Sequence, residues 1–394
     1  MRVAIVVSGS RGDVQPMLAL AVGLGAAGHD AIVCASPDNG AWARSLGCRF
    51  EAIGEPLRDN PALGDWGMRP FNRFIRRQMD LQVRDLPDKL EGYDVVLASG
   101  LVWGVRPVAE HLGIRYRYVA FTPAGLLGTT RDPVAIRLLR GILDLYGELA
   151  YGPALDRGRA RLRLPRVRHV MAQLMGPGTI AATDPALTMI PDGAQLRPTQ
   201  TGYPMLARRG ELSEALRQFL AAGPPPVYAG FGSMPYGDHE RVGRLLVEAA
   251  ERAGQRLVVY RGWAGIPDVG HRDSCLLVDE EPHDLLFPKV SAAIHHGGAG
   301  TVATAARAGI PQIVLPQAAD QFLWRRQVVR LGLGPSAPLF RFASAASLAR
   351  VISATLTDPT YRRRAQEMAA RLSAAPDGVA STVEEITGAA RAGA

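Results

Sequence analysis

The sequence predicts the α/β class: two doubly wound, Rossmann-like domains in tandem, each a mostly parallel sheet with helices on its faces. Three observations predict it. Short, continuously apolar, β-branched runs alternate with segments of helical spacing, the pattern of strands buried on both faces. The alternation starts twice, and the turn-rich stretch "AAGPPP" at 221–226 precedes the second start. The length, 394 residues with 47% apolar, exceeds what one hydrophobic core organises.

The elements follow in order. "RVAIVV" reads as a buried strand, followed by a loop and then "QPMLALAVGLGAAG", which has helical spacing and stops at glycine. The unit repeats as "DAIVCA" with "DNGAWARSLG", and again as "DVVLAS" with "VRPVAEHLG" and "RYRYVAF". From Glu55 to Leu90 and from Thr122 to Pro177 the alternation is interrupted by segments carrying Trp66, Phe71, Phe74, Tyr146 and Tyr151. Insertions at strand ends build variable ligand pockets, and helices packed on the domain are the alternative. The second series runs "VYAGFGS", a helix near 239–253, "RLVVYRG", "CLLVD", "AAIHH", "TVATAARAG", "PQIVLP" and a helix from about Asp320, with further helices after Ser344. The expected division is an N-terminal domain over 1–205, a linker over 206–222 and a C-terminal domain over 223–394, whose last helix is free to return to the first domain.

Composition narrows the function classes. The net charge of +8 and pI near 9.7 come from arginines spread along helices without interleaved aromatics, so solvated helix faces are expected in place of a nucleic-acid surface. Such a field still attracts an anionic small substrate or a membrane surface. The longest apolar stretches, such as Asp94–Val105, fall short of the ~20 residues that cross a bilayer. "MRVAIVV" is too short for a signal-peptide core, and cytoplasmic residence is expected. Cys34, Cys48 and Cys275 lack metal-ligand spacing and read as core fillers.

Chemistry concentrates at three junctions. In "IHHGGAGT", 294–301, Gly297, Gly298 and Gly300 let the backbone approach an anion. The following helix offers free N–H groups and its positive dipole end, Thr301 adds a hydroxyl, and an imidazole at the strand end donates another hydrogen bond. The spacing matches neither GxGxxG nor the P-loop, and no DxD pair offers a divalent-metal bridge, so a metal-free pyrophosphate site is expected. In "VSGSRGDVQP", Ser10 and Arg11 can meet a charged ligand and Gly12 provides a turn, while Asp13 either caps the helix or carries chemistry. In "PQAADQFLWRRQ", Asp320 and Gln321 suit adjacent sugar hydroxyls, and an N-cap is an equal use of Asp320. His283 in "VDEEPHDLLFP" reads locally as loop decoration.

"GSRGDVQP", "HHGGAGT" and "PQAADQFLW", taken jointly and in this order, resemble the nucleotide-sugar-dependent glycosyltransferases of the GT-B fold, family 1. The resemblance is to the branch containing sterol glucosyltransferases and antibiotic glycosyltransferases of actinomycetes. It implies a donor, a TDP- or UDP-sugar, held by the C-terminal domain, an apolar acceptor held by the N-terminal domain, and reaction in a central cleft without cofactor or metal. Carried onto this sequence, Asp13 becomes the general base, with Ser10 and Arg11 approaching the donor. Ser233 also faces the donor and His283 lies by the nucleoside. His296, or its neighbour His295, holds the diphosphate with Gly297, Gly298, Ala299, Gly300 and Thr301, and Asp320 and Gln321 bind sugar hydroxyls. Trp66, Phe71 and Phe74 are the acceptor-binding expectation. Inverting hexosyl transfer in antibiotic biosynthesis is the implied activity; the alternatives are a sugar-nucleotide epimerase, a non-catalytic nucleotide-sugar-binding partner and, more remotely, an oxidoreductase.

Overall fold

A computed structural model describes residues 1–57, 68–126, 128, 134–192, 194–206, 210–232, 239–262, 273–318 and 320–391. It divides into two compact units, the first made of Met1–Pro185, Met189–Leu206 and Asp377–Ala394, the second of Ala186–Thr188 and Ala207–Pro376.

The first unit is built on a parallel sheet of seven strands among the described residues: β1 (Arg2–Ser8), β2 (Asp30–Ala35), β3 (Arg49–Ala52), β4 (Val95–Gly100), β5 (Arg115–Ala120), β6 (Ile180–Ala181) and β7 (Thr199–Gln200). Their order is β3-β2-β1-β4-β5-β6-β7, and every ladder is parallel. Val3 to Val7 are wholly buried, as an apolar run covered on both faces must be. The chain moves from β1 outward to β3 and then restarts at β4 on the other side of β1. This puts the loops after β1 and β4 side by side at the carboxyl ends of the strands, the topological switch point where such sheets bind ligands.

The described parts of the interrupting segments are largely helical. Met68–Asp85 packs on Val134–Arg161, tied by Asn72, whose Nδ2 donates to the Tyr146 hydroxyl at 2.6 Å and whose Oδ1 accepts from the Tyr151 hydroxyl at 2.7 Å. Phe74 is 4% exposed within the core and Phe71 packs partly buried against it. Phe74 thus sits in the core cluster with Ile75 and Met79 of the same helix. Trp66 lies outside the described residues.

The helix Gly378–Arg391 also belongs to this unit and crosses the helix Arg11–Ala26 closely. A Cβ at Gly23 would stand 2.2 Å from Val379 Cγ1, so glycine admits the neighbour. The Thr382 and Thr201 hydroxyls bond at 2.7 Å, and Glu385 pairs with Arg117.

The second unit has five parallel strands among the described residues, in the order β10-β9-β8-β11-β12. They are β8 (Val227–Gly230), β9 (Leu257–Tyr260), β10 (Cys275–Val278), β11 (Ala292–His295) and β12 (Gln312–Val314). The switch point here lies between β8 and β11. Within the stretch expected as a linker, Ser213 caps the helix Glu214–Ala221, and Leu212 and Leu216 enter this unit's core. Leu216 on the helix and Leu212 just before its cap are both buried, which favours packing over an extended connection. Among the described residues, no helix is long and apolar enough to cross a membrane.

Candidate active site

In the second unit the glycine-rich turn joins β11 to the helix Ala299–Arg307, whose N-cap is Gly298. Gly297 takes φ +96°, and a Cβ there would meet Val314 Cγ1 at 2.8 Å and the Gln321 carbonyl oxygen at 3.1 Å. Only glycine fits both the conformation and the space. The first intrahelical bond recorded after the turn runs from Val302 N–H to Gly298 O at 3.0 Å. The first-turn N–H groups at Ala299, Gly300 and Thr301, which an α-helix leaves without intrahelical acceptors, together with the helix dipole, form an anion-binding end. All three residues are partly exposed.

The two histidines separate in role. His295 closes β11, opposite Gly230 and Val314, and is fully buried. Its Nδ1 accepts the Gly297 N–H at 3.1 Å and its Nε2 pairs with Gln312 Oε1 at 3.0 Å. Both ring nitrogens are thus used inside the protein, which corrects the alternative assignment of His295 to the diphosphate. Burial, then the neighbouring His296, pushes its pKa down to about 3.

His296 points the other way, and its ring lies against two glycines. A Cβ at Gly232 would stand 3.2 Å from its Cε1, and one at Gly298 2.6 Å from its Nε2. Its Nδ1 is buried with no hydrogen-bond partner, although the residue as a whole is partly exposed. Burial pushes this imidazole down to about 4. Gly232, at φ +65°, belongs to "GFGS", and the second glycine of that run was the available signal for it. Ser233 next to it lies outside the described residues. Gln312 was also missed; its signal is a lone amide beginning an otherwise apolar strand, "QIV".

The remaining residues of this unit converge on the same sheet end. Gln321 is 6% exposed, and its Oε1 accepts the N–H groups of Gln317 at 2.8 Å and Ala318 at 3.1 Å. That oxygen orders the 317–318 turn. Asp320 occupies the N-cap position of the helix Gln321–Arg330, yet its side chain makes no cap hydrogen bond. His283 opens the helix His283–Leu286, bonds the Tyr228 hydroxyl through Nε2 at 2.7 Å and stacks on Phe287 at 4.6 Å. It is an anchored member of an aromatic cluster with Tyr228 and Tyr260. The Tyr228 hydroxyl in turn would lie 2.2 Å from a Cβ on Gly230, the β8 residue paired with His295.

In the first unit Asp13 stands three residues after the N-cap Ser10. Its Oδ2 accepts the Ser10 N–H at 2.8 Å and the Ser10 hydroxyl at 3.0 Å. Capping is therefore observed, and it fixes the rotamer of the carboxylate. A Cβ on Gly9 would fall 2.3 Å from Asp13 Oδ2, and one on Gly100 would fall 2.1 Å from Ser8 O and 3.7 Å from Asp13 Cγ. The loop after β4 is held against this one by the Leu101 N–H, which donates to Ser8 O at 2.7 Å, and by the Tyr118 hydroxyl, which donates to Gly100 O at 3.3 Å. Burial and then the nearby Asp13 charge raise the Tyr118 hydroxyl well above its ordinary pKa, so it stays a neutral donor. Arg11 lies over the Trp42 ring at 4.6 Å. Among the described residues, no group of three His, Cys, Asp or Glu side chains is arranged to hold a metal ion.

With this geometry in view, comparison with known proteins is specific. Residues 259–386 match the model of the erythromycin biosynthesis protein CIII-like C-terminal domain. Glycosyltransferase GtfC from Amycolatopsis orientalis is 37% identical over 393 residues, covering 94% of this chain and 93% of that protein. The vancomycin aglycone glucosyltransferase of the same organism is 36% identical and covers 92% of each. Glycosyltransferase VinC, solved in complex with dTDP, shares the fold at TM-score 0.74 and 20% identity, over 99% of this chain and 100% of that one. The epimerase, non-catalytic and oxidoreductase readings are not favoured by these relatives. This chain is a glycosyltransferase and belongs to the GT-B family 1 enzymes, in the branch of natural-product and sterol glycosyltransferases.

Proposed function

We propose that the protein moves a sugar from a nucleotide diphosphate sugar to a hydroxyl of an apolar natural-product aglycone, with inversion at the anomeric carbon. The observation that carries this reading is His296: a desolvated imidazole with an unpartnered Nδ1, beside the open N-terminal end of the helix Ala299–Arg307. A nucleoside diphosphate satisfies both. The dTDP bound by VinC supports a thymidine or uridine diphosphate as the nucleotide, and the relative named for the vancomycin aglycone supports a natural-product acceptor.

In the proposed reaction Asp13 takes the acceptor hydroxyl's proton as the oxygen attacks the anomeric carbon, and the bond from that carbon to the diphosphate oxygen breaks on the opposite face. Negative charge accumulates on the departing diphosphate. His296, the amides of residues 299–301 and the helix dipole stabilise that charge without reorganising, which is the electrostatic contribution that dominates many enzymes. Ser10 holds Asp13 in one rotamer. Asp320, at the start of the helix Gln321–Arg330, is assigned to sugar hydroxyls. His283 and its aromatic partners are assigned to the nucleoside side. Arg11 and Ser233 are assigned to the donor, Trp66 and Phe71 to the acceptor.

The test is product analysis by mass spectrometry, with dTDP- and UDP-sugars offered against a panel of apolar aglycones. Transfer with release of the nucleoside diphosphate is expected. An isomerised donor formed without acceptor, or donor binding without any product, would overturn the reading.

A further inference from the structure

We propose that His295 is a positioning residue for the leaving-group site, its unprotonated Nδ1 holding the Gly297 amide inward and so fixing the turn that presents His296 and the first amides of the following helix. The inference rests on the reading of residues 296–301 as the diphosphate site.

The hydrogen-bond chain determines itself from both ends. The Gly297 N–H can only donate, so His295 Nδ1 accepts and the ring's proton sits on Nε2. That Nε2–H requires an acceptor, and Gln312 offers Oε1 at 3.0 Å. The Gln312 amide then turns its nitrogen to the Val302 carbonyl, which can only accept, at 3.4 Å. The chain thereby links β11, β12, the glycine turn and the helix. His295 and Gln312 are both 0% exposed, so no solvent competes for these groups. The opposite tautomer would set Nδ1–H against the Gly297 N–H, donor against donor.

Gly297 has no slack with which to compensate. Its positive φ and its contacts with Val314 and the Gln321 main chain leave one position for the turn. Losing the inward pull on its amide strands a buried donor, and the turn relieves that by rotating the amide outward. Such a rotation displaces both neighbours: His296, whose ring lies against Gly298, and Gly298, which caps the helix.

The test exploits two amides that mimic different halves of imidazole. In His295→Asn the amide oxygen stands where Nδ1 was and still accepts from Gly297. In His295→Gln the polar group stands where Nε2 was, and the Gly297 N–H is left alone. Both variants lower thermal stability. We expect dTDP affinity, measured by titration calorimetry on the full chain, to stay within about threefold for Asn and to fall at least about tenfold for Gln. Equal losses in the two variants, with His296→Ala still weakening dTDP, would overturn the positioning role and leave the site reading intact. Unchanged dTDP affinity in His296→Ala would remove the site reading and this inference together. Should His295→Gln not fold, ring-¹⁵N spectra of the wild-type protein decide: an unprotonated Nδ1 supports the role, and a protonated Nδ1 overturns it.

Discussion

A Cβ built on Gly298 would lie 2.6 Å from His296 Nε2, so the imidazole fills space that any other residue at 298 would claim. The pair explains why glycine and histidine sit two residues apart at this junction. Histidine supplies a donor in a desolvated setting, where each hydrogen bond to an anion counts for more than in water. Glycine makes room for the ring and bares the helix end.

Gly298→Ala is expected to push the imidazole off its seat while leaving the helix formed. The dTDP affinity should fall about tenfold, comparable to losing one charge-assisted hydrogen bond. Calorimetric titration measures it, and affinity equal to wild type would mean that the ring position does not matter to the nucleotide.

Asp13→Asn keeps the size of the side chain and removes the base. The kcat should drop by about 10²–10⁴-fold, the usual contribution of general base catalysis, with dTDP binding retained. Single-turnover kinetics with saturating donor separates the two. Near-normal turnover would take Asp13 out of the proton-transfer role.

Asp320→Asn should distinguish sugar from nucleotide. If the carboxylate holds sugar hydroxyls, affinity for the intact nucleotide sugar falls about 10- to 100-fold, while affinity for dTDP alone stays the same. A parallel loss for both ligands would place Asp320 on the nucleotide instead.

Gly100→Ala should cost stability and activity together. The new Cβ would stand 2.1 Å from Ser8 O on a backbone at φ +77°, a combination that forces the loops after β1 and β4 apart. We expect a loss of about 2 kcal/mol or more in urea unfolding, and a lower kcat per folded molecule because Ser8 leads into the Asp13 loop.

Acid should destabilise the second unit through His295. Its folded pKa, pushed to about 3, lies below the ordinary value of 6.5, so the unfolded chain binds a proton that the folded chain excludes. The contribution is complete above pH 6.5 and is lost as pH falls from there towards 3, at up to about 1.4 kcal/mol per pH unit. His296, lowered to about 4, acts in the same direction. Urea titrations between pH 7 and 5 should show this slope, and His295→Asn should flatten it.

The sequence alone determined the two parallel sheets, because strands buried on both faces must be apolar throughout and cannot be mistaken for alternating surface strands. It also determined the glycine turn and the carboxylate loop, since a close backbone approach and a strand-to-helix junction leave local marks. What it could not distribute was the work of neighbouring polar residues. His295 and His296 are adjacent in the chain, yet the first closes β11 and the second already lies in the turn, and only packing decided that one enters the core to meet Gln312 while the other stays by the helix end. Phe74 lies in the core, the helix Glu214–Ala221 falls inside the stretch expected as a linker and packs on the second unit, and the final helix belongs to the first. Each of these depends on contacts between residues far apart in the chain, and local periodicity carries no record of such contacts.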